Sequence, residues 1–268
     1  MKRKFAVIGV GNMAKSILAG ITSANIPISS FHLFDKISAA CNEYISKENF
    51  YVQEDIISTV ESADCILLSV KPQNYAEILS EIKKADNFTQ KLYISIGAGI
   101  TSQSVSKTLD GANVIRVLPN LPMTVGLGTS VICKNDKVSI ENFEFVKSVF
   151  ASSGGTMVID EQDMNAIIGV TSSSPAYVFK FINAIYLGAK AQGLDTNGML
   201  DTICDVVIGS ATLLKKSSDT PTELISKVAS KGGTTEQALL KLDEGEFDKI
   251  IENAMIACTK RADELGKK

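Results

Sequence analysis

Short apolar runs alternate with segments of helical periodicity in the first half of the chain, and this alternation constrains the fold most. Five runs rich in Val, Ile and Leu predict buried strands: KFAVIG, FHLF, CILLSV, KLYISI and NVIRVL. Between them lie segments with apolar residues at helical spacing, such as MAKSILAGITSA, AEILSEIKKA and TSQSVSKTL. We expect a further strand near residues 128–133 and a helix around 141–151. The pattern predicts a parallel sheet covered by helices on both faces.

The strand pattern stops after about residue 160. The stretch PAYVFKFINAIYLGAKAQG predicts a helix that is apolar nearly all round and therefore packed against neighbours on several sides. We expect Asp195 or Thr196 to cap a second long helix that runs to Leu214, and EFDKIIENAMIACTKRADEL to form a final amphipathic helix. The predicted fold class is therefore α/β, with a parallel-sheet domain at 1–160 and an all-helical domain at 161–268.

Charge and hydropathy exclude several classes of function. The net charge of −3, without a dense basic run, gives no electrostatic footprint for nucleic acid. No stretch reaches the eighteen or so apolar residues of a membrane span. The N-terminal KRKFAVIGVG has too short an apolar run for a signal peptide. We therefore expect a cytoplasmic protein with no nucleic-acid or membrane partner.

The metal-binding residues are sparse. The five cysteines are widely spaced without a CxxC pair, which argues against a zinc site and against a disulfide framework. The single histidine, His32, lies in the strand-like run SFHLFD, where a half-exposed structural histidine is expected. We predict no metal site and no mechanism that depends on a histidine acid.

The sequence Gly9-Val10-Gly11-Asn12-Met13-Ala14 stands between the first predicted strand and the first predicted helix. In that context Gly9 allows a tight turn, Gly11 allows the backbone to approach a pyrophosphate, and Ala14 allows close packing of helix on sheet. The free N–H groups of the helix then face the anion. We predict a dinucleotide site, the alternative being an ordinary tight turn.

The choice of cofactor stays open. Asp35 ends the second predicted strand, where a carboxylate accepts hydrogen bonds from adenine-ribose hydroxyls, as in NAD. The neighbouring Lys36 is suited to the 2′-phosphate of NADP, or is a solvated surface charge. We therefore expect NADPH or NADH, with a narrow preference for NADPH.

Three other strand ends carry polar or backbone-exposing residues, within 69–73, 95–99 and 116–122. Each is compatible with an ordinary turn. Ligands of open α/β sheets, however, collect beyond the carboxyl ends of the strands, and these three ends meet at one edge.

In the helical half, Gly232-Gly233 and the hydroxyls of Thr234 and Thr235 precede EQALLKL. That loop suits a carboxylate, or is a capped helix start.

Together, the motifs GVGNMA, SVKPQ, SIGAGI, VIRVLPNLP, SSSPAYVF and KGGTTEQAL resemble the pyrroline-5-carboxylate reductase family over essentially the whole chain. The resemblance implies a Rossmann-like domain followed by a helical domain that interlocks with its mate in a homodimer, with higher assemblies of dimers possible. It also implies hydride transfer from NADPH or NADH to 1-pyrroline-5-carboxylate, giving L-proline in the last step of proline biosynthesis.

The residues and the resemblance together give the predicted site. The predicted cofactor-binding residues are Gly9, Val10, Gly11, Asn12, Met13, Asp35, Lys36, Ser69, Val70, Lys71, Pro72, Gly97, Ala98, Asn120 and Glu161. The predicted substrate-binding residues are Ser230, Gly233, Thr234 and Thr235. The predicted catalytic residues are Lys71, Thr171 and Thr235.

The chain also departs from the family pattern. Thr171–Ser174 stands for the usual Ser-Gly-Ser-Gly, and Lys231 for a proline. Ile56 replaces a frequent asparagine, and Leu121 and Ile168 replace threonines. These departures leave two alternatives open: a reductase of another cyclic imine or small oxo or hydroxy acid, and a catalytically idle paralogue that binds NAD(P). Because Ile168 donates no hydrogen bond, we expect the substrate to bind already protonated, as an iminium.

Overall fold

The computed structural model describes residues 2–135 and 137–266, and these form one eight-stranded sheet and a set of helices. The strand order is β3-β2-β1-β4-β5-β6-β7-β8. All neighbouring strands are parallel except β6 and β7. The strands are β1 (Arg3–Ile8), β2 (Ile28–Phe34), β3 (Phe50–Val52), β4 (Cys65–Leu68), β5 (Leu92–Ser95), β6 (Asn113–Leu118), β7 (Gly128–Lys134) and β8 (Gly154–Val158).

Helices follow most strands of the sheet, and a run of helices completes the chain. The first group is α1 (Asn12–Ser23), α2 (Ile56–Glu61), α3 (Tyr75–Ile82), α4 (Ser102–Thr108) and α5 (Ile140–Ala151). The second group is α6 (Ser174–Ala191), α7 (Met199–Lys216), α8 (Pro221–Val228), α9 (Thr234–Glu244) and α10 (Phe247–Gly266). Side chains of Asp55, Thr101 and Ser139 accept hydrogen bonds from the first turns of α2, α4 and α5, which fixes where these helices begin.

The core lies on both faces of the sheet. Alternate residues of β1 point to opposite faces, so Phe5 and Val7 pack with Ile17 of α1, whereas Ile8 packs with Leu79 of α3. Each face therefore buries a continuous apolar cluster. The predicted α/β class, with helices on both faces of the sheet, is confirmed.

One strand runs against the prediction of a parallel sheet. The connection between Leu118 and Gly128 is shorter than the dozen or more residues that a parallel crossover needs, so β7 turns back antiparallel to β6. β3 was not predicted, since three residues are too few to show a period of two.

The expected cap of the second long helix is wrong. α7 begins at Met199 after Gly198, whose φ of 69° is left-handed, and no side chain caps it. Asp195 instead accepts a hydrogen bond from the Asn197 N–H at 3.0 Å. Local hydrogen bonds of this kind compete with helix capping, which explains the later start.

The chain divides into two compact units. The first comprises 1–173 with 255–268, and the second comprises 174–254. Residues 161–173 thus belong with the sheet, as does the last part of α10. The domain boundary predicted between residues 160 and 161 remains a prediction.

Candidate active site

The turn from β1 to α1 has the conformation that its glycines predict. Gly9 has a φ of 93°, and a Cβ built on it would lie 2.5 Å from the Ser69 carbonyl oxygen, so any side chain there strains the backbone. Gly11 has open space around its Cα. No side chain caps α1, and its first turn carries no acidic residue. The first N–H groups of α1 are therefore available to an anion.

Asp35 holds this turn in place. Its Oδ2 accepts a hydrogen bond from the Val10 N–H at 2.7 Å, and its Oδ1 accepts one from the Ile37 N–H at 2.8 Å. The Val10 side chain is buried in the core, so its predicted contact with a cofactor is limited to backbone atoms. The Lys36 ammonium is exposed and lies 3.9 Å from Glu77.

A cavity of about 290 Å³ lies at the carboxyl edge of the sheet. The ends of β4, β5 and β6 meet the first turn of α1 at this cavity. These are the three strand ends that the sequence predicted to lie at one edge of the sheet. Most of its wall is apolar, and its polar side chains are two serines and a lysine. The lining residues are Met13, Ser69, Val70, Lys71, Ile96, Ala98, Leu118, Pro119 and Ser172.

Lys71 brings the positive charge to this cavity. It is exposed, and within the residues that the structure describes its ammonium has no ion-pair partner. Pro72 directly follows and begins a short 3₁₀ turn, which fixes the backbone at the end of the β4 loop. The predicted positions of Ser69, Val70 and Lys71 on one wall are compatible with a site for a polar ligand.

Tyr75 connects two of the loops that form the cavity, and sequence analysis missed it. Its buried hydroxyl donates to the Leu68 carbonyl at 3.1 Å, accepts from the Gly97 N–H at 3.0 Å and contacts Ser95 Oγ at 3.0 Å. Burial raises the pKa of Tyr75 to about 12, so the phenol stays protonated. Since Gly97 is in contact with the tyrosine ring, its missing side chain allows this packing.

Glu161 lies in a separate polar network rather than on the wall of this cavity. Its carboxylate accepts hydrogen bonds from Arg116 at 2.8 Å, from Ser102 and from the Cys133 thiol. Arg116 also donates to the Asn165 side chain at 2.6 Å. An arginine inside the apolar strand NVIRVL was the sequence signal of this network. The predicted contact of Glu161 with a cofactor stays a prediction.

The pKa of Glu161 reflects two opposing effects. Burial alone would raise it, but the hydrogen bonds from Ser102, Arg116 and Cys133 outweigh burial and hold the pKa below its ordinary value. The same surroundings act on the Cys133 thiol, where burial and the neighbouring carboxylate raise the pKa to about 12. Glu161 is therefore ionised and Cys133 protonated at neutral pH.

The side chains of Asn120 and Thr171 both form hydrogen bonds to backbone groups of the protein. The Asn120 amide donates to the Thr171 carbonyl at 3.1 Å and accepts from the Thr129 N–H at 2.8 Å. The Thr171 hydroxyl is buried and donates to the Ile167 carbonyl at 3.1 Å. Neither side chain lines the cavity, whereas Ser172 does. Thr171 was predicted to be catalytic. Its hydroxyl proton is used in the hydrogen bond to Ile167, and the catalytic role stays a prediction.

The loop before α9 forms a tight turn in the second unit. Gly232 has a φ of 75°, and its N–H donates to the Glu236 carboxylate at 2.7 Å. Gly233 is the N-cap of α9 and provides no side-chain cap, so the alternative of a helix start capped by hydroxyls is wrong. Among the described residues, the side chains of Thr234 and Thr235 make no hydrogen bond. Their hydroxyls are thus available to a ligand.

His32 lies outside any candidate site. His32 is half-buried in β2, and its ring nitrogens lie 3.0 Å from Ser30 Oγ and 3.1 Å from Gln53 Nε2. This agrees with a structural histidine. Within the ranges 2–135 and 137–266, no cluster of His, Cys, Asp and Glu could hold a metal ion, and no helix is long and apolar enough to cross a membrane.

Two family models match the chain. Residues 4–99 match the model described as NADP oxidoreductase coenzyme F420-dependent, and residues 161–265 match the model described as pyrroline-5-carboxylate reductase dimerisation. The first range covers the glycine turn and the ends of β4 and β5. The second covers Glu161, the three hydroxyl residues that begin at Thr171, and the loop before α9.

Relatives named pyrroline-5-carboxylate reductase match the whole chain. The pyrroline-5-carboxylate reductase of Escherichia coli K12 is 32% identical over 273 residues and is covered completely, as is this chain. The structure of the Coxiella burnetii pyrroline-5-carboxylate reductase gives a TM-score of 0.87 at 26% identity, with 100% of both chains covered. The Plasmodium falciparum pyrroline carboxylate reductase, solved with NADP bound, gives 0.87 at 25% identity over 99% of both chains.

Proposed function

Because this chain belongs to the pyrroline-5-carboxylate reductase family, we propose that it reduces 1-pyrroline-5-carboxylate to L-proline with NADPH or NADH. The observation that carries the proposal is the cavity of about 290 Å³, where three strand ends meet the first turn of α1. Its apolar wall suits flat rings, and Lys71 provides one positive charge. The proposed role is the last step of proline biosynthesis.

The residues around the glycine turn fit a dinucleotide. Gly11 has no neighbour within 4 Å of a built Cβ, which leaves room for a pyrophosphate against the backbone. Asn12 and Met13 follow in the uncapped first turn of α1 and present N–H groups to it. Asp35 and Lys36, at the end of β2, would face the adenine ribose, and Val70, Pro72, Gly97 and Ala98 would border the nicotinamide.

The bound cofactor supplies the hydride, and the residues of the chain position and polarise the reactants. The apolar part of the cavity wall provides a surface against which flat rings can pack. The Lys71 ammonium raises the positive potential near the strand ends and attracts the carboxylate of an approaching substrate. Tyr75 holds the loops after β4 and β5 at a fixed separation through its hydrogen bonds to Leu68 and Gly97. This fixes the distance between the two walls of the cavity that these loops form.

We propose that the loop before α9 binds the substrate carboxylate. Ser230, Gly233, Thr234 and Thr235 offer three hydroxyls and the first N–H groups of α9, and the threonine hydroxyls lack partners among the described residues. A carboxylate accepts hydrogen bonds from such donors. Thr235 is the proposed main donor.

We also propose a homodimer formed through the helices of the second unit. Large apolar side chains are exposed there, among them Phe179, Phe181, Val206 and Ile208, and Ile208 is 63% exposed. Apolar exposure of this extent marks an interaction surface. Light scattering should give about twice the chain mass of 28.7 kDa; a monomer at micromolar concentration would contradict the dimer. The proposed location is the cytoplasm.

The activity is tested with purified protein, 1-pyrroline-5-carboxylate and either reduced cofactor, followed by the absorbance of the nicotinamide. We expect substrate-dependent oxidation of the cofactor and formation of L-proline. No oxidation above background with either cofactor would refute the proposal. Oxidation with a different cyclic imine alone would assign the chain to another substrate.

A further inference from the structure

Three successive hydroxyl residues, Thr171, Ser172 and Ser173, end the first of the two segments of the first compact unit, and they have different partners. The Thr171 hydroxyl donates to the Ile167 carbonyl at 3.1 Å. The Ser173 hydroxyl lies 3.0 Å from the Cys258 sulfur. These two hydroxyls serve the local fold. Ser172 is the one of the three that lines the cavity at the strand ends.

The backbone at Ser172 is held firmly. Its N–H donates to the Ile168 carbonyl at 3.1 Å. The preceding carbonyl, that of Thr171, accepts from the Asn120 amide, and Asn120 in turn accepts from the Thr129 N–H. The connection between β6 and β7 therefore fixes the position from which the Ser172 side chain enters the cavity. A ligand group placed there meets a pre-positioned hydroxyl.

The Ser172 hydroxyl itself is only weakly engaged. Its oxygen lies 3.4 Å from the Pro119 carbonyl oxygen, beyond the 2.5–3.0 Å usual for a hydroxyl donor. A hydroxyl that donates to this carbonyl keeps the lone pairs of Oγ for a hydrogen bond from a ligand. Lys71, the charged residue of the same wall, has donors alone and cannot accept.

We propose that Ser172 binds the ring nitrogen of the substrate. The protonated imine N–H donates to Ser172 Oγ, while the serine O–H donates to the Pro119 carbonyl. No atom or electron is transferred in this contact. It orients the positively charged iminium toward a neutral acceptor on the wall of the cavity. The inference rests on the proposed reductase function and adds a substrate contact to it.

The experiment compares Ser172→Ala with the matched control Ser173→Ala, whose hydroxyl contacts Cys258 outside the cavity wall. For both variants and the wild type, kcat and KM for 1-pyrroline-5-carboxylate are measured at saturating NADPH across pH. The Kd of NADPH is measured separately from its fluorescence without substrate. Thermal unfolding checks the fold; if Ser172→Ala does not fold, Ser172→Cys takes its place.

We expect Ser172→Ala to lower kcat/KM by about 10- to 100-fold, the range for losing one hydrogen bond to a charged group. The Kd of NADPH and the shape of the pH profile should stay at wild-type values, because the hydroxyl neither holds the cofactor nor moves the proton. Ser173→Ala should keep the wild-type kcat/KM.

Three results would overturn the inference. An unchanged kcat/KM in Ser172→Ala would show that Ser172 does not contact the substrate. If this variant instead loses NADPH affinity to the same extent as kcat/KM, the hydroxyl binds the cofactor amide. A changed pH profile would make Ser172 part of the proton transfer. These results presuppose an active wild type; an inactive wild type refutes the reductase proposal, and the substrate contact with it.

Discussion

The Arg116 guanidinium and the Glu161 carboxylate form an ion pair at 2.8 Å, in which the arginine side chain is 1% exposed and the glutamate side chain 29%. Ser102 and Cys133 donate further hydrogen bonds to the same carboxylate. Arg116 lies in β6, next to β5 and β7. Glu161 thus connects two strands, β6 and β7, and the start of α4 to the segment that follows β8.

Replacing Glu161 with alanine should destabilise the fold strongly. The buried Arg116 charge would lose its partner, and breaking a buried ion pair costs about 3–5 kcal/mol. Urea unfolding measures the loss. Glu81→Ala is the control, because Glu81 pairs with Lys84 on the surface, where such pairs contribute at most about 1 kcal/mol. Equal stability losses in both variants would contradict the structural role of Glu161.

The Glu161 carboxylate makes the free energy of unfolding depend on pH. Because the folded pKa of Glu161 lies below its unfolded value of about 4.3, its contribution is complete above that pH. The contribution is lost as the pH falls through the folded pKa. Urea midpoints measured from pH 6 downward should therefore decline less steeply, below about pH 4, in Glu161→Gln than in the wild type. Parallel declines would show that this carboxylate does not titrate with unfolding.

The two site glycines should respond differently to substitution. Gly9→Val should destabilise the fold, because its φ of 93° and the Ser69 carbonyl at 2.5 Å leave no place for a side chain. Gly11→Val should keep the wild-type melting temperature and lose NADPH binding, since its surroundings are open until a pyrophosphate approaches. Fluorescence titration with NADPH and thermal unfolding separate the effects. A folded Gly11→Val with wild-type affinity would disprove the phosphate role of the turn.

Asp35 should influence the choice between the two cofactors. Its carboxylate is fixed by the N–H groups of Val10 and Ile37, so it presents a stationary negative charge near the expected adenine ribose. Asp35→Asn should raise kcat/KM for NADPH relative to NADH, because a 2′-phosphate no longer meets a like charge. Lys36→Ala should shift the ratio in the opposite direction. Unchanged ratios in both variants would place the ribose elsewhere.

The sequence predicted the parts of the fold that depend on local periodicity. The strands around Val7, Leu67 and Ile94 have continuous apolar runs, and they form the centre of the sheet. The direction of β7 was not predictable from its own residues, because it depends on the length of the preceding connection. The three-residue β3 carries too short a pattern to be recognised.

The site residues were predictable where the backbone conformation requires one residue type, as at Gly9. They were much less predictable where a side chain can form hydrogen bonds with several different partners. A threonine and two serines in a row look alike in sequence, yet only the structure separates the hydroxyls bound to Ile167 and Cys258 from that of Ser172. Tyr75 was missed for the same reason. Its partners Leu68 and Gly97 are brought together by the sheet and not by the sequence.

The last prediction concerns Thr235, the proposed donor to the substrate carboxylate. Thr235→Ala should cost about 1.5–3 kcal/mol of substrate binding, since the lost hydrogen bond has a charged acceptor. The loss should appear as a higher KM for the imine, with the KM for NADPH unchanged. Thr202→Ala is a matched control, because its hydroxyl donates to the Gly198 carbonyl at the start of α7. If Thr235→Ala keeps the wild-type KM for the imine, the carboxylate binds at another place.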